Sequence, residues 1–573
     1  MRSWTEGHFT ALLGLPPDET LPGLLARHLE CAPERPAVVL VTPRGELTLG
    51  VGQLLQGSAR YAARYREAGI GKGDVIVDLL PPGPDLLFAF LGGVILGAVP
   101  SILPFPTEKL DPALYRENLA QLMEVTRPAG LIAEPGLAEE LRRGLPPRLG
   151  KVAVFERGAE GPEDVTRPGK WEGLGRRPEE IVLLQHSSGT TGLQKGVSLS
   201  HQAVLNQLRA YVPALRMTPD DVIVSWLPLY HDMGLIAGFL LPLLVGVKLV
   251  LLSPFDWTRA PWRLMRAVSE HRGTLTWLPN FAYNLCAQKS PDDKLEGVDL
   301  SSWRAVINCS EPMYADSHRA FLERFQPFGL RPEALATCYA MAENVFAVTQ
   351  GGIDGPMVCD LVDADQLETA GRATPASPSS RRSVECVSAG PPLPNCRVEV
   401  WTPEGGRLGP REIGELAVRS DCMLTGYYNR PDATAEVLRD GFYRTGDLGY
   451  VADGQVYITG RKKDVMILAG RNVYPQDLER LINRVPGVHA GRAVVFGVFN
   501  PKLGTEDAGA VVEVEPGGDP ARLAYLIREA VATGSDVVLR HLKLVDDRWL
   551  IKTSSGKLAR AANRDKFLAE QGR

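Results

Sequence analysis

No Cys-x-x-Cys pair occurs in this sequence. The cysteines Cys31, Cys286, Cys309, Cys338, Cys359, Cys386, Cys396 and Cys422 are scattered. That spacing argues against a zinc site and against a disulfide framework, so a reducing, cytoplasmic location is expected. Neither charge dominates. Lys and Arg total 63 against 68 Asp and Glu, a net charge of −5, so there is no general basic field to hold nucleic acid. Unbroken apolar runs of membrane-spanning length are also missing. Residues 86–104 are interrupted by Gly92, Gly93, Gly97 and Pro100, and residues 234–252 by Pro242 and Lys248. Each stretch reads as a buried helix running into a buried strand, and no transmembrane segment is expected. The opening Met1-Arg2-Ser3-Trp4-Thr5-Glu6 lacks the apolar core of a signal peptide.

The chain is rich in ordinary globular material, with 573 residues, 44% of them hydrophobic and 23% charged. That length exceeds one core and predicts two or more domains. Residues 1–150 alternate helix-like segments (21–28 and 55–68) with strand-like ones (37–41 and 74–80). The alternation predicts an α/β fold with largely parallel strands.

The most distinctive stretch is Gln185-His186-Ser187-Ser188-Gly189-Thr190-Thr191-Gly192-Leu193-Gln194-Lys195-Gly196, set between a predicted strand over 181–184 and a predicted helix over 202–209. Glycine lets backbone N–H groups turn toward an anion. The Ser and Thr hydroxyls add donors, and Lys195 adds a mobile positive charge. A polyphosphate requires this combination. A Walker A loop is excluded, because Gly196 follows the Lys and the hydroxyl cluster precedes it.

Further motifs follow in order. A strand over 221–227 ends in Pro228-Leu229-Tyr230-His231-Asp232-Met233-Gly234, and strand ends in open α/β sheets are where ligands collect. Chain neighbours rarely face one another, so His231 reads as a positioning residue rather than half of an acid–base pair with Asp232. Then come Pro279-Asn280-Phe281-Ala282-Tyr283, Asn308-Cys309-Ser310-Glu311-Pro312 and Cys338-Tyr339-Ala340-Met341-Ala342-Glu343. Later are Tyr443-Arg444-Thr445-Gly446-Asp447, Gly460-Arg461-Lys462-Lys463-Asp464 and Thr553-Ser554-Ser555-Gly556-Lys557. Between them, residues 350–388 are polar and rich in Gly, Pro and Ser, a composition expected of a disordered surface insertion.

In this order the motifs resemble the adenylate-forming superfamily, and most of all its fatty-acyl-AMP ligases and acyl-CoA synthetases. The resemblance implies a large multi-layer N-terminal α/β domain (1–461) and a small mobile α+β C-terminal domain (462–573). It implies that Ser187, Ser188, Gly189, Thr190, Thr191, Gly192 and Lys195 hold the phosphates of ATP, and that Ser310, Glu311 and Pro312 abut adenine. Tyr339 offers a face to the same base. Asp447 can accept the ribose hydroxyls, with Arg461 beside it and Lys463 as the hinge. Glu343 is implied as the Mg²⁺ ligand and Lys557 as the catalytic cation. His231, Met233, Gly234, Asn280 and Phe281 line the acyl site. Catalysis would rest on Lys557, Glu343 and His231.

The implied reaction converts a medium- or long-chain fatty acid and ATP into acyl-AMP and pyrophosphate. The acyl group then passes to the phosphopantetheine thiol of a carrier protein acting in trans. An acyl-CoA synthetase and a catalytically silent nucleotide-binding module are the alternatives. Three features favour the ligase: Ala342 where most of the superfamily has Thr, the 279–283 stretch, and the insertion at 350–388.

Overall fold

The computed structural model describes residues 16–106, 112–145, 152–158, 168–186, 195–468, 471–500, 505–535, 537–553 and 557–571. The β-branched runs become neighbouring strands. Val38, Val39, Leu40 and Val41 lie beside Leu249, Val250, Leu251 and Leu252 in parallel register. They belong to a seven-stranded sheet ordered Leu335–Thr337, Ala305–Asn308, Leu275–Leu278, Val222–Ser225, Lys248–Leu252, Pro36–Thr42 and Gly45–Gly50. All its pairings are parallel except the terminal hairpin. Parallel strands buried on both faces need continuous apolar runs, and these strands supply them.

A second, four-stranded parallel sheet runs Val99–Ile102, Val75–Leu79, Gly130–Ala133, Ala153–Glu156. Helices Val51–Glu67 and Pro84–Leu96 pack tightly against each other. A Cβ at Gly92 would lie 2.8 Å from the Ser58 carbonyl oxygen. Residues 86–104 are thus the buried helix and strand expected of them, and no helix among the described residues is long and apolar enough to cross a membrane.

Two further sheets in this part of the chain are antiparallel. One pairs Ile181–His186, Gly196–Ser200 and Gly426–Tyr427. The other contains Cys396–Trp401, Gly414–Ser420, Leu438–Arg439, Phe442–Ala452 and Gln455–Arg461.

From Met466 onward the buried apolar residues cluster among themselves. Met466, Leu478, Ile482, Ala510, Val512, Ile527 and Val531 pack together. Met466 comes from the short strand Met466–Leu468, and the others from the helices Pro475–Asn483 and Pro520–Ser535 and a three-stranded sheet, Val488–Asn500, Thr505–Val514 and Leu539–Val545.

The segment 350–388 departs from its composition. It is an ordered antiparallel hairpin, Cys359–Asp363 with Ser383–Val387, capped by the helix Ala364–Thr369. Ion pairs give it structure that its polar content did not suggest. Arg382 bridges Asp365 and Glu368, each at 2.8 Å. Glu368 also pairs with Arg471, and Glu385 with Arg319 at 3.0 Å. The hairpin is therefore tied both to the helix Ala315–Phe325 and to the C-terminal part of the chain.

Candidate active site

Four parallel strands end at one edge of the large sheet, and each leads into a stretch singled out in the sequence. Val222–Ser225 leads to His231 and Met233. Leu275–Leu278 leads to Asn280 and Phe281. Ala305–Asn308 leads to Ser310 and Glu311, and Leu335–Thr337 to Tyr339. Parallel register puts all four carboxyl ends on the same side.

On the apolar side, Phe281 stands edge-on to both Trp226 and Trp257, at 6.3 and 6.2 Å between ring centres. The two indoles stack at 3.5 Å. Met233 opens a π-helix, Met233–Leu240, where an ordinary helix was expected. Gly234 is fixed there by contact, since a Cβ would come within 2.2 Å of the Pro228 carbonyl oxygen. Asn280 faces protein partners. Its amide donates to Ser317 Oγ at 3.1 Å, and its oxygen accepts from Asn308 at 3.0 Å and from the Tyr314 N–H at 3.2 Å. It holds the wall in place.

His231 and Asp232 correct the expectation drawn from adjacency. The turn brings His231 Nδ1 to 2.7 Å from Asp232 Oδ1, which also accepts the Met233 N–H at 2.7 Å. Burial alone would raise the Asp232 carboxyl. The charge and hydrogen bond of His231, with Lys557 and the Met233 amide, outweigh burial and hold it below its ordinary value.

Lys557 reaches this edge from the tail. Lys552 bridges Leu558, and the Thr553 N–H donates to the Lys557 carbonyl at 2.7 Å, which fixes the backbone at the Lys. Its ammonium donates to the Ser310 carbonyl at 2.7 Å. Ser310 has φ +69°, a conformation L-residues rarely adopt, and its Oγ lies 3.8 Å from Met233 Sδ. Glu311 accepts the Phe281 N–H at 3.0 Å. Burial raises the Glu311 carboxyl above its usual range, opposed by Lys557. The tail is anchored by Arg560, which pairs with Glu479 at 2.7 Å and Asp464 at 3.0 Å and donates to the Val495 carbonyl.

Tyr339 is buried and its hydroxyl donates to Asp447 Oδ2 at 2.6 Å, while Arg461 Nε sits 3.0 Å from Asp447 Oδ1. Both Asp447 oxygens thus have protein partners, each keeping acceptor capacity for a further donor. Asp447 raises the Arg461 guanidinium further. Burial lowers the neighbouring Lys463 ammonium, with Arg461 acting in the same direction. Pro312 follows Glu311 in the same turn.

Glu343 is half-buried, and its partial removal from water raises its carboxyl. Its Oε1 accepts the Tyr427 hydroxyl at 2.8 Å, and Lys195 Nζ lies 4.7 Å over the ring of that same tyrosine. Tyr427 thus joins two predicted site residues, a role the sequence did not suggest. Its only signal was membership of the conspicuous Gly426-Tyr427-Tyr428 run. Ser187, Ser188, Gly189, Thr190, Thr191 and Gly192 lie outside the described residues. Among those described, no group of three or more His, Cys, Asp or Glu is placed to hold a metal. An ion that keeps waters and phosphates as ligands requires only one or two carboxylates, and half-buried Glu343 can supply one.

Comparison with known proteins places these features in context. Residues 25–428 match the family model described as AMP-binding enzyme. A putative acyl-CoA synthetase of Caulobacter vibrioides is 32% identical over 92% of this chain and 92% of its own. A medium-chain-fatty-acid–acyl-carrier-protein ligase of Moorena producens is 34% identical over 70% of each chain. Among solved structures, one from studies of fatty acyl-adenylate ligases from E. coli and L. pneumophila superposes with a TM-score of 0.86. It is 26% identical, covering 96% of this chain and 98% of that one.

Proposed function

The chain belongs to the AMP-binding enzyme family, and on that premise we propose that it joins a fatty acid to AMP from ATP and hands the acyl group to a carrier-protein thiol rather than to CoA. It is a fatty-acyl-AMP ligase in enzyme type, with ATP as co-substrate.

The observation that carries the reading is the 2.7 Å contact from Lys557 Nζ to the Ser310 carbonyl. It seats the tail's cation at the sheet edge beside Met233 and Phe281, and Tyr339 with its partner Asp447 follows the neighbouring strand. The acid's carboxylate lies against Met233 and Phe281, where Lys557 stabilises the charge shared between it and the α-phosphate as it attacks phosphorus in line. His231, held by Asp232, keeps the carboxylate oriented. Asp447 and Arg461 take the ribose, and the Ser310-Glu311-Pro312 backbone faces the base. Lys195 approaches the terminal phosphates. Glu343 would hold Mg²⁺, which supplies further charge neutralisation along the triphosphate. We place the domain boundary at 461/462 with Lys463 as pivot, consistent with the separate cluster that begins at Met466.

The carrier acceptor is favoured by the hairpin at 359–387. Its ion pair from Glu368 to Arg471 and its contact with Arg319 place a strut beside the small domain. A strut there opposes the rotation needed to build a CoA channel. Acid-dependent exchange of labelled pyrophosphate into ATP, run over a panel of free acids, tests the first half-reaction and reports chain length. Exchange with medium- or long-chain acids is expected, and none with any acid would refute the reading.

A further inference from the structure

Phe281 is half-buried, and the space behind its ring is closed. Trp226 follows directly on the strand Val222–Ser225, and Trp257 belongs to the short helix Pro254–Arg259. Their indoles lie within 9° of parallel with centres 3.5 Å apart, and Trp257 is fully buried. Phe281 meets Trp226 edge-on at 6.3 Å and Trp257 at 6.2 Å, both within the range of contacting rings. A methylene chain passing between rings in contact would have to part them by about 4 Å. The three rings therefore form a floor without a gap.

The floor is braced on two sides. The π-helix Met233–Leu240 is buried along its whole length, and a Cβ at Gly238 would fall 2.7 Å from Ser225 Oγ. That helix is thus pressed against the strand that leads into Trp226. On the side of Trp257, Phe255 of the same short helix stands edge-on to Phe105 at 5.4 Å. The Trp257 N–H donates to the Ser253 carbonyl at 3.0 Å, and Ser253 Oγ accepts the Phe255 N–H at 3.3 Å, which fixes the turn that carries both rings.

We propose that Trp257 sets the length of acid that is activated: the methyl end stops at the indole pair, so medium-chain acids are accepted and long-chain acids are not. The inference rests on the acyl-AMP reading, which puts the carboxylate against Met233 and Phe281, and it deepens that reading by naming the substrate class. With the head group held beside Lys557, a chain running along Phe281 meets the floor directly behind that ring. A longer chain has to displace a stacked indole and forfeit its ring contacts, and such a loss discriminates between acids that differ only in length. Trp226 runs straight into the turn that carries His231, whereas the helix of Trp257 carries no other residue of the candidate site. Trp257 is therefore the position at which length can change without disturbing the head group.

The test is a competition. Full-length enzyme receives ATP, Mg²⁺ and an equimolar mixture of octanoate and palmitate, and the two acyl-adenylates are quantified from one reaction. Both acids draw on the same folded molecules, so their ratio does not depend on how much of a variant folds. Wild type should favour octanoate at least about tenfold. Trp257→Ala should move the ratio at least about tenfold toward palmitate with half-saturating ATP unchanged. Trp257→Leu should move it part of the way, and decides alone should Trp257→Ala not fold. Wild type with no preference for octanoate, or variants that lower both products alike at an unchanged ratio, would overturn the stop at Trp257 and leave acyl-AMP formation standing. Wild type that forms neither adenylate and exchanges pyrophosphate with no acid would overturn the acyl-AMP reading, and this length limit with it.

Discussion

The ammonium of Lys557 and the main-chain oxygen of Ser310 meet at 2.7 Å, although 247 residues of sequence separate them. The contact joins the tail to the turn after Ala305–Asn308 and places one cation near Asp232 and Glu311, both of which feel its charge.

Lys557→Ala should therefore lower adenylate formation on the order of 10²–10³-fold, the usual effect of deleting one donor aimed at developing charge. Transfer from preformed acyl-AMP to a thiol should be largely retained, because no charge then builds between carboxylate and ATP. Single-turnover measurement of both half-reactions checks this. Equal losses would make Lys557 a structural residue.

Glu343→Gln keeps the shape of the side chain and the Tyr427 contact but removes the anion. Burial raises the Glu343 carboxyl, so the charge is a burden to the fold, and loss of it should leave the melting temperature unchanged or higher. The Mg²⁺ concentration for half-maximal exchange should rise several-fold. A lower melting temperature with unchanged Mg²⁺ dependence would assign Glu343 to the scaffold.

How far these positions were legible follows from chain geometry. The parallel sheet was readable because buried parallel strands are continuous apolar runs, as at Leu249-Val250-Leu251-Leu252. Lys557 stood out because it follows a Gly/Ser turn near the end of the sequence. Tyr427 did not, because its role exists only once Lys195 and Glu343, far apart in sequence, close on its two sides. The His231–Asp232 pair was missed because a regular strand or helix directs neighbouring side chains apart, and only the turn before the π-helix at Met233 lets them meet. The order within 350–388 was hidden by its composition. Its order comes from Val362, Leu367 and Ala373 packed with Tyr450 and Tyr457 and from Arg382 and Arg471, which both pair with Glu368.

Asp78 offers a pH test of the scaffold. It lies fully buried in the strand Val75–Leu79, with neither carboxyl oxygen partnered among the described residues. Burial pushes its carboxyl well above the usual range. The folded protein keeps a proton that the unfolded chain releases above about pH 4. Stability contributed by the protonated acid is thus complete below that pH and is lost as pH rises toward the folded value, at about 1.4 kcal/mol per pH unit. Asp78→Asn should flatten the fall in denaturation midpoint between about pH 5 and pH 8 and be the more stable protein at the upper end. An unchanged slope would show that Asp78 does not titrate on unfolding.

Arg471→Glu sets like charge against Glu368 and should loosen the hairpin from the small domain. Acyl-CoA output should rise several-fold with pyrophosphate exchange unaltered, and removal of the hairpin should raise it further. Both products can be followed in one chromatographic run. Unchanged acyl-CoA output in both variants would mean that the hairpin does not restrain the domain.

The most direct measurement uses the wild-type chain with ATP, Mg²⁺, excess CoA and a labelled medium-chain acid, quenched over time and resolved into acyl-AMP and acyl-CoA. Acyl-AMP should accumulate to about one equivalent per enzyme and persist until a phosphopantetheinylated carrier is added, with little acyl-CoA. Rapid, multiple-turnover conversion to acyl-CoA without a carrier would contradict the carrier assignment and make the protein an acyl-CoA synthetase.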